Sequence, residues 1–205
     1  MDADTKRALV QAYDSHAQER DQSTLPEWKR AVRAAFLELV RAEGRTTLLE
    51  IGAGTGISSR FYQENGLRVV AIDLSPVMVR FCRDKSVPAL RMDTFRLGFR
   101  PGSFEAVWAL NCLLHVPKRD LPGVLSEIRA VMKPGGLFYL GQWGGSAFEG
   151  VWEDDHYDPK RFFSFQTDEE IAGTVGRWFE SVSFKGFRPG DGEAYFQSMV
   201  WRCPR

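Results

Sequence analysis

Two hydrophobic rhythms alternate along this chain. Short apolar runs end at turn-forming residues, and each gives way to a stretch with helical spacing. Residues 3–18 read as a polar, amphipathic helix, broken by Asp21-Gln-Ser-Thr-Leu-Pro26. Pro26 suits the first turn of a second helix, with Trp28, Val32, Phe36, Leu39 and Val40 on one face and Gly44 past its end. The spacing then predicts strand Thr47–Ile51, helix Ile57–Asn65, strand Arg68–Ile72 and a helix opened by Ser75-Pro76 that runs to about Lys85. Strands follow at Ala89–Met92 and Phe104–Leu110, a helix at Leu121–Met132, a tight turn at Lys133-Pro-Gly-Gly136 and a strand at Leu137–Gly141. Strand–helix alternation of this kind predicts an α/β fold with a doubly wound parallel sheet and helices on both faces. Residues 142–166 show no clean period. A helix at about Asp168–Trp178 and two strand-like runs, Ser181–Phe187 and Ala194–Arg202, close the chain. The turn Arg188-Pro-Gly-Asp-Gly192 between those runs predicts an antiparallel hairpin.

The most specific local pattern is Thr47-Leu-Leu-Glu-Ile-Gly-Ala-Gly-Thr-Gly56. A buried strand runs into glycines at alternate positions, and a helix begins directly after them. Glycines there permit a sharp turn and a close approach to a ligand. In open α/β sheets, nucleotide-like molecules bind at such a strand-to-helix loop. The second strand ends in Asp73, 19 residues past Gly54, about where an acid meets ribose hydroxyls in such folds. A dinucleotide fingerprint would need its third glycine at Ile57; here that glycine comes early, at Gly56.

Composition narrows the function. The 205 residues suit one domain, and a 43% hydrophobic content provides a substantial core. With 27 basic and 27 acidic side chains the net charge is zero, which argues against nucleic acid as the main partner. A local basic patch at Arg91, Arg96 and Arg100 stays open. The three cysteines, Cys82, Cys112 and Cys203, lack metal-ligand spacing, and a disulfide framework is not expected. Neither a signal-peptide core nor an apolar run long enough to span a bilayer is present, so the expected location is the cytoplasm, with no membrane partner.

Glu50-Ile-Gly-Ala-Gly-Thr-Gly56, Asp73, Met92-Asp93 and Lys133-Pro-Gly-Gly136 together resemble the class I S-adenosylmethionine-dependent methyltransferases, specifically over residues 47–141. The resemblance implies a Rossmann-like sheet of seven strands, the last antiparallel. It implies S-adenosylmethionine as cofactor and S-adenosylhomocysteine as product. Gly52, Ala53, Gly54 and Gly56 would form the floor under the methionine part and ribose, with Glu50 beneath. Asp73 would take both ribose hydroxyls, and Leu74 would pack on the adenine. Asp93 would accept the adenine amino group, with Met92 and Thr94 giving backbone contacts. Asn111 would lie near the sulfonium and methionyl amine, and Tyr13 would cover the cofactor, helped by Arg20 and Trp28. Read this way, residues 1–45 form a helical lid, 46–141 the cofactor-binding core, 142–166 a substrate cover and 167–205 a C-terminal helix and hairpin.

Methyl transfer from a sulfonium needs a nucleophile held in line, and positioning can supply much of the rate. A general base helps when the nucleophile is a hydroxyl or protonated amine. His115, in the loop after the fourth strand, and His156 are the catalytic candidates; each reads equally as a structural or exposed histidine. His16 reads as a surface or lid residue, and Cys112 as structural. Seven aromatics crowd residues 143–165, and Trp143, Trp152, Tyr157 and Phe162 are the candidates to stack on an acceptor. Glu153, Asp154, Asp155 and Asp158 read as a solvated loop, or as a site for a cationic substrate. No resident metal is expected. The expected acceptor is a small metabolite or natural product, methylated on oxygen or nitrogen by a monomer or homodimer. The alternatives are a protein or RNA acceptor, or a non-catalytic protein that keeps the cofactor site.

Overall fold

The computed structural model describes residues 1–190 and 192–205. Three helices, α1 (Ala3–Ser15), α2 (Ala17–Gln22) and α3 (Glu27–Ala42), precede β1 (Thr47–Ile51). Then come α4 (Ile57–Glu64), β2 (Arg68–Asp73), α5 (Pro76–Asp84), β3 (Ala89–Arg91), β4 (Phe104–Leu110), α6 (Leu121–Val131) and β5 (Met132–Gly144). The chain ends with β6 (Phe148–Val151), β7 (Phe162–Phe165), α7 (Asp168–Val175), β8 (Glu180–Phe187) and β9 (Tyr195–Arg202).

Seven strands form one sheet in the order β3-β2-β1-β4-β5-β9-β8. The first five are parallel, β9 runs antiparallel to β5, and β8 antiparallel to β9. The chain winds outward from β1 to β3, then crosses back to place β4 on the other side of β1. That reversal opens a crevice at the carboxyl ends of β1 and β4.

Helices on both faces explain why the central strands are apolar throughout. Alternate residues serve opposite cores. Leu48, Ala106, Trp108, Leu137 and Tyr139 meet Phe36, Val40 and Tyr62 on the α3 and α4 side. Leu49, Ile51, Val107, Phe138 and Leu140 meet Leu125, Ile128 and Ile171 on the α6 and α7 side. Trp108 stacks on Tyr139 at 3.9 Å between centroids, so neighbouring strands share one aromatic layer.

Helix ends follow local chemistry. Ser75 Oγ accepts the Met78 N–H at 2.9 Å and Pro76 occupies the first turn of α5. Thr167 and Glu170 form a reciprocal capping box on α7.

The structure corrects several sequence expectations. The first helix does not run unbroken to residue 18 but divides at His16, whose N–H turns back to the Asp14 carbonyl. The Lys133–Gly136 turn is absorbed into β5. The ladder jumps from Phe104↔Met132 to Ala106↔Leu137, so these residues bulge out of the strand, with Gly135 at φ +75°. Residues 142–166 are not aperiodic. They contain the antiparallel pair β6–β7, in register Phe148↔Phe165 and Gly150↔Phe163. The last helix stops at Val175 rather than Trp178. Asp191, in the predicted hairpin turn, lies outside the described residues. Among the described residues no helix is long and apolar enough to cross a membrane.

Candidate functional site

The crevice holds a cavity of about 1070 Å³. Its floor is the loop after β1. Gly52, Gly54 and Gly56 have φ of +65°, +55° and +82°, a region that strains other residues. Their reasons differ. A Cβ on Gly52 would lie 2.3 Å from Cys112 Cβ, and one on Gly56 would lie 2.9 Å from Cys82 Sγ. A Cβ on Gly54 would meet nothing within 4 Å, because that position faces the crevice. Gly52, Ala53 and Gly54 line the cavity; Gly56 sits behind it, against α5.

Asp73 ends β2, next to β1 in the sheet. Its Oδ2 accepts the Gly54 N–H at 2.8 Å, and its Oδ1 the Ser75 N–H at 2.9 Å. Burial pushes its pKa up to about 6, against the pull of those two donors. The carboxylate therefore ties the glycine loop to the start of α5 and borders the cavity.

Glu50 lies beneath the loop at 4% exposure and takes a hydrogen bond from Ser59 Oγ. Burial raises its pKa to about 8, and the neighbouring Asp73 charge adds to the rise. The unfolded chain loses this proton near 4.5, while the folded chain keeps it to about 8. Between those values folding takes up a proton, so stability falls as pH rises, by about 1.4 kcal/mol per unit. Glu50→Gln is expected to flatten this loss. Urea denaturation at pH 5.5 and 7.5 checks it; equal pH dependence in variant and wild type would refute the assignment.

Asn111 follows β4 with φ +53°, uncommon for a side-chain-bearing residue. Its N–H donates to the Gly141 carbonyl at 2.7 Å, and its buried Oδ1 has no hydrogen-bond partner among the described residues. Buried acceptors are nearly always satisfied. A strained residue holding an unused acceptor at the cavity wall marks a place for a ligand donor. Leu74, Met92, Asp93 and Thr94 form another part of the wall. There Asp93 Oδ1 accepts the Phe95 N–H at 3.1 Å, and its Oδ2 pairs with Lys6 of α1 at 2.6 Å.

A polar network roofs the cavity. His115 stands in a one-turn 3-10 helix, Leu113–His115. Its Nδ1 is 2.7 Å from the Phe162 carbonyl and its Nε2 is 2.7 Å from Tyr13 Oη. A carbonyl only accepts, so Nδ1 carries the proton and Nε2 receives the Tyr13 hydroxyl. Burial holds the His115 pKa down at about 4, which keeps the ring neutral. Arg161 donates to Tyr13 Oη at 3.2 Å and grips Asp155 through Nε and Nη2, both at 2.8 Å. Burial alone would raise the Asp155 carboxyl, but hydrogen bonds from Arg161 outweigh it and bring it to about 2. Arg20 Nη1 donates to Tyr157 Oη at 3.1 Å.

The other sequence candidates are distributed unevenly. Trp143, Trp152 and Tyr157 line the cavity. The side chain of Phe162 does not; its carbonyl serves His115, and Phe163 and Phe165, on the other face of β7, form the wall instead. His156 stands exposed at the rim, its ring 4.6 Å from that of Tyr157. Trp28 turns away from the cavity to pack on Trp143, Phe187 and Phe196. Arg161 was not a sequence candidate; its one signal was the Asp155 carboxylate six positions earlier. Among the described residues no group of three or more His, Cys, Asp or Glu side chains could hold a metal ion.

A doubly wound sheet with a β5–β9–β8 antiparallel edge, a glycine loop after β1 and an acid at the tip of β2 defines a Rossmann-like nucleoside-binding class. Comparison with known proteins shows what the core of this sheet resembles. Residues 49–140 match the family described as "Methyltransferase domain". The 2-methyl-6-phytyl-1,4-hydroquinone methyltransferase of Synechocystis is 32% identical over 104 residues, 48% of this chain and 32% of the relative. The ubiquinone biosynthesis O-methyltransferase of Xanthomonas campestris pv. campestris is 32% identical over 100 residues, 45% of this chain and 41% of the relative. The chain thus spans between 32% and 41% of the length of these two curated relatives. Among solved structures, the 1,6-didemethyltoxoflavin-N1-methyltransferase of Burkholderia thailandensis was determined with 1,6-didemethyltoxoflavin and S-adenosylhomocysteine bound. It superposes with a TM-score of 0.74 at 20% identity, covering 100% of this chain and 92% of that one. The DhpI–SAH complex gives 0.74 at 22% identity, covering 100% and 99%. The core at residues 49–140 is thus similar to a methyltransferase domain, and the fold of the whole chain is that of these solved methyltransferases.

Proposed function

We propose that this protein transfers a methyl group from S-adenosylmethionine to a small-molecule acceptor, on oxygen or, as the alternative, on nitrogen. The observation that carries the reading is the convergence on one crevice of the open face of Gly54, the Asp73 carboxylate and the unpartnered Asn111 Oδ1. These groups suit the cofactor's parts. Asp73 would accept the ribose hydroxyls, Leu74 would pack on adenine, and Asp93 would accept its amino group, with backbone contacts from Met92 and Thr94. Asn111 Oδ1 would accept the methionyl ammonium. Gly52, Ala53 and Gly54 would lie under the chain between them. When bound, the cofactor supplies a methyl already activated by its sulfonium.

The protein's own contribution is placement and exclusion of water. Trp143, Trp152, Tyr157, Phe163 and Phe165 offer flat surfaces on which a planar acceptor would stack. Methyltransferases named for hydroquinone, ubiquinone-pathway and toxoflavin substrates among the relatives agree with such an acceptor. His115 Nε2 is committed to Tyr13, so this histidine would act through the Tyr13 hydroxyl that it orients. Tyr13→Phe and His115→Ala are each expected to cut turnover about tenfold, and the double variant no further, because both remove one unit. His156→Ala, at the rim, is expected to raise the acceptor KM and leave kcat near wild type. The decisive experiment is calorimetric titration with S-adenosylhomocysteine, followed by transfer of labelled methyl to a panel of phenols and hydroquinones. A protein that binds no S-adenosylhomocysteine is not a methyltransferase of this kind.

A further inference from the structure

The acid-rich tract at 153–158 suggests a cationic ligand, but two of its carboxylates are already paired, and the cavity wall, which includes Asp154 and Glu193, also presents the basic side chains of Lys29 and Arg20. Asp155 is 3% exposed in its side chain and consumed by Arg161, and Glu153 pairs with Lys160 at the surface. Lys29, on the first turn of α3, lines the cavity and is half-buried. Among the described residues no carboxylate lies within ion-pair distance of it. Its pKa is pushed down, by burial first and by the positive charge of Arg20 second. Arg20 lines the same cavity, with its guanidinium 5.1 Å from the centre of the Tyr13 ring. Arg161 adds no free charge, because Asp155 neutralises it. Two cations thus face one chamber, and one of them has lost much of its water. A partly desolvated ammonium beside a guanidinium is unfavourable, and an anion placed between them relieves both.

We propose that the acceptor carries a carboxylate-type anion and that Lys29, flanked by Arg20, holds it. The flat rings of Trp143, Tyr157 and Tyr195 around the chamber make a planar aromatic acid the favoured shape. The word acceptor rests on the methyltransferase reading; the anion site does not. The cofactor's own α-carboxylate is the other source of the same chemistry, and the test separates the two.

The probes are 4-hydroxybenzoate and 4-hydroxybenzamide, alike in shape and different in charge. Calorimetry on the full chain saturated with S-adenosylhomocysteine is expected to show the acid binding about tenfold tighter than the amide or better. Lys29→Met is expected to erase that preference and Lys29→Arg to restore most of it, with S-adenosylhomocysteine affinity changed by less than about threefold. Equal binding of acid and amide overturns the proposal, as does no binding of either up to about 10 mM. A preference that survives in Lys29→Met also overturns it. Loss of S-adenosylhomocysteine affinity in Lys29→Met with unchanged probe binding assigns the lysine to the cofactor's carboxylate and overturns it too. If the wild-type protein fails to bind S-adenosylhomocysteine, the methyltransferase reading falls. The acid–amide comparison on the cofactor-free protein then still decides the anion site.

Discussion

Valine in place of Gly54 is expected to weaken S-adenosylhomocysteine binding by about 100-fold or more while the domain stays folded. The added Cβ would meet no protein atom within 4 Å, so the new side chain projects into the crevice proposed to hold the cofactor. Its cost to the fold is backbone strain alone. A β-branched residue at φ +55° costs about 1–3 kcal/mol, against a stability of roughly 5–15 kcal/mol for an ordinary domain. Gly52→Val is the informative contrast. There the same strain is joined by a clash, the added Cβ lying only 2.3 Å from Cys112 Cβ, so the loop and the strand-four turn must both shift. That variant is expected to lose stability before it reports on binding. Calorimetry paired with thermal denaturation separates the outcomes. A Gly54→Val protein that binds nearly as well as wild type would remove this loop from the site.

The contrast between these glycines shows where sequence reading stops. The glycine turn, the acid at the next strand tip and the parallel core are locally encoded. Each lies in a short buried run closed by residues with few backbone alternatives, and the family resemblance implied seven strands with the last antiparallel. Why each glycine is needed was not legible, because the answer lies in Cys82 and Cys112, which reach the loop only in the fold. The cover was harder still. Phe162-Phe163-Ser164-Phe165 places aromatics on both faces of β7, so the alternation that betrays a strand is missing. Choosing Phe162 over Phe163 and Phe165 as a wall residue follows from that gap. Asp155 in the cluster 153–158 read as free negative charge because Arg161, its neutralising partner, has no helical or strand spacing to it. The division at His16 was hidden as well, since no glycine or proline marks it.

Asp73→Ala is expected to reduce cofactor affinity by about 100-fold, since a buried carboxylate that accepts two hydroxyls contributes a few kcal/mol. The substitution also orphans the N–H groups of Gly54 and Ser75, so a fall in melting temperature of several degrees is expected alongside. Asp73→Asn separates the two effects. An amide keeps one oxygen for a backbone N–H and lacks the charge, so it should recover more stability than affinity. The acidity of Asp73 gives a second handle. Ligand hydroxyls favour the ionised carboxyl, whose pKa stands near 6 in the free protein. Binding therefore lowers that pKa, and affinity should hold above pH 7 and decline as pH falls through 6. The Ala variant should lack this decline, while the Glu50 proton, bound up to about pH 8 in the wild-type protein, cannot produce it there. Affinity of wild-type protein that stays flat from pH 7.5 to 5 would separate Asp73 from the ribose, whatever the Ala variant does to stability.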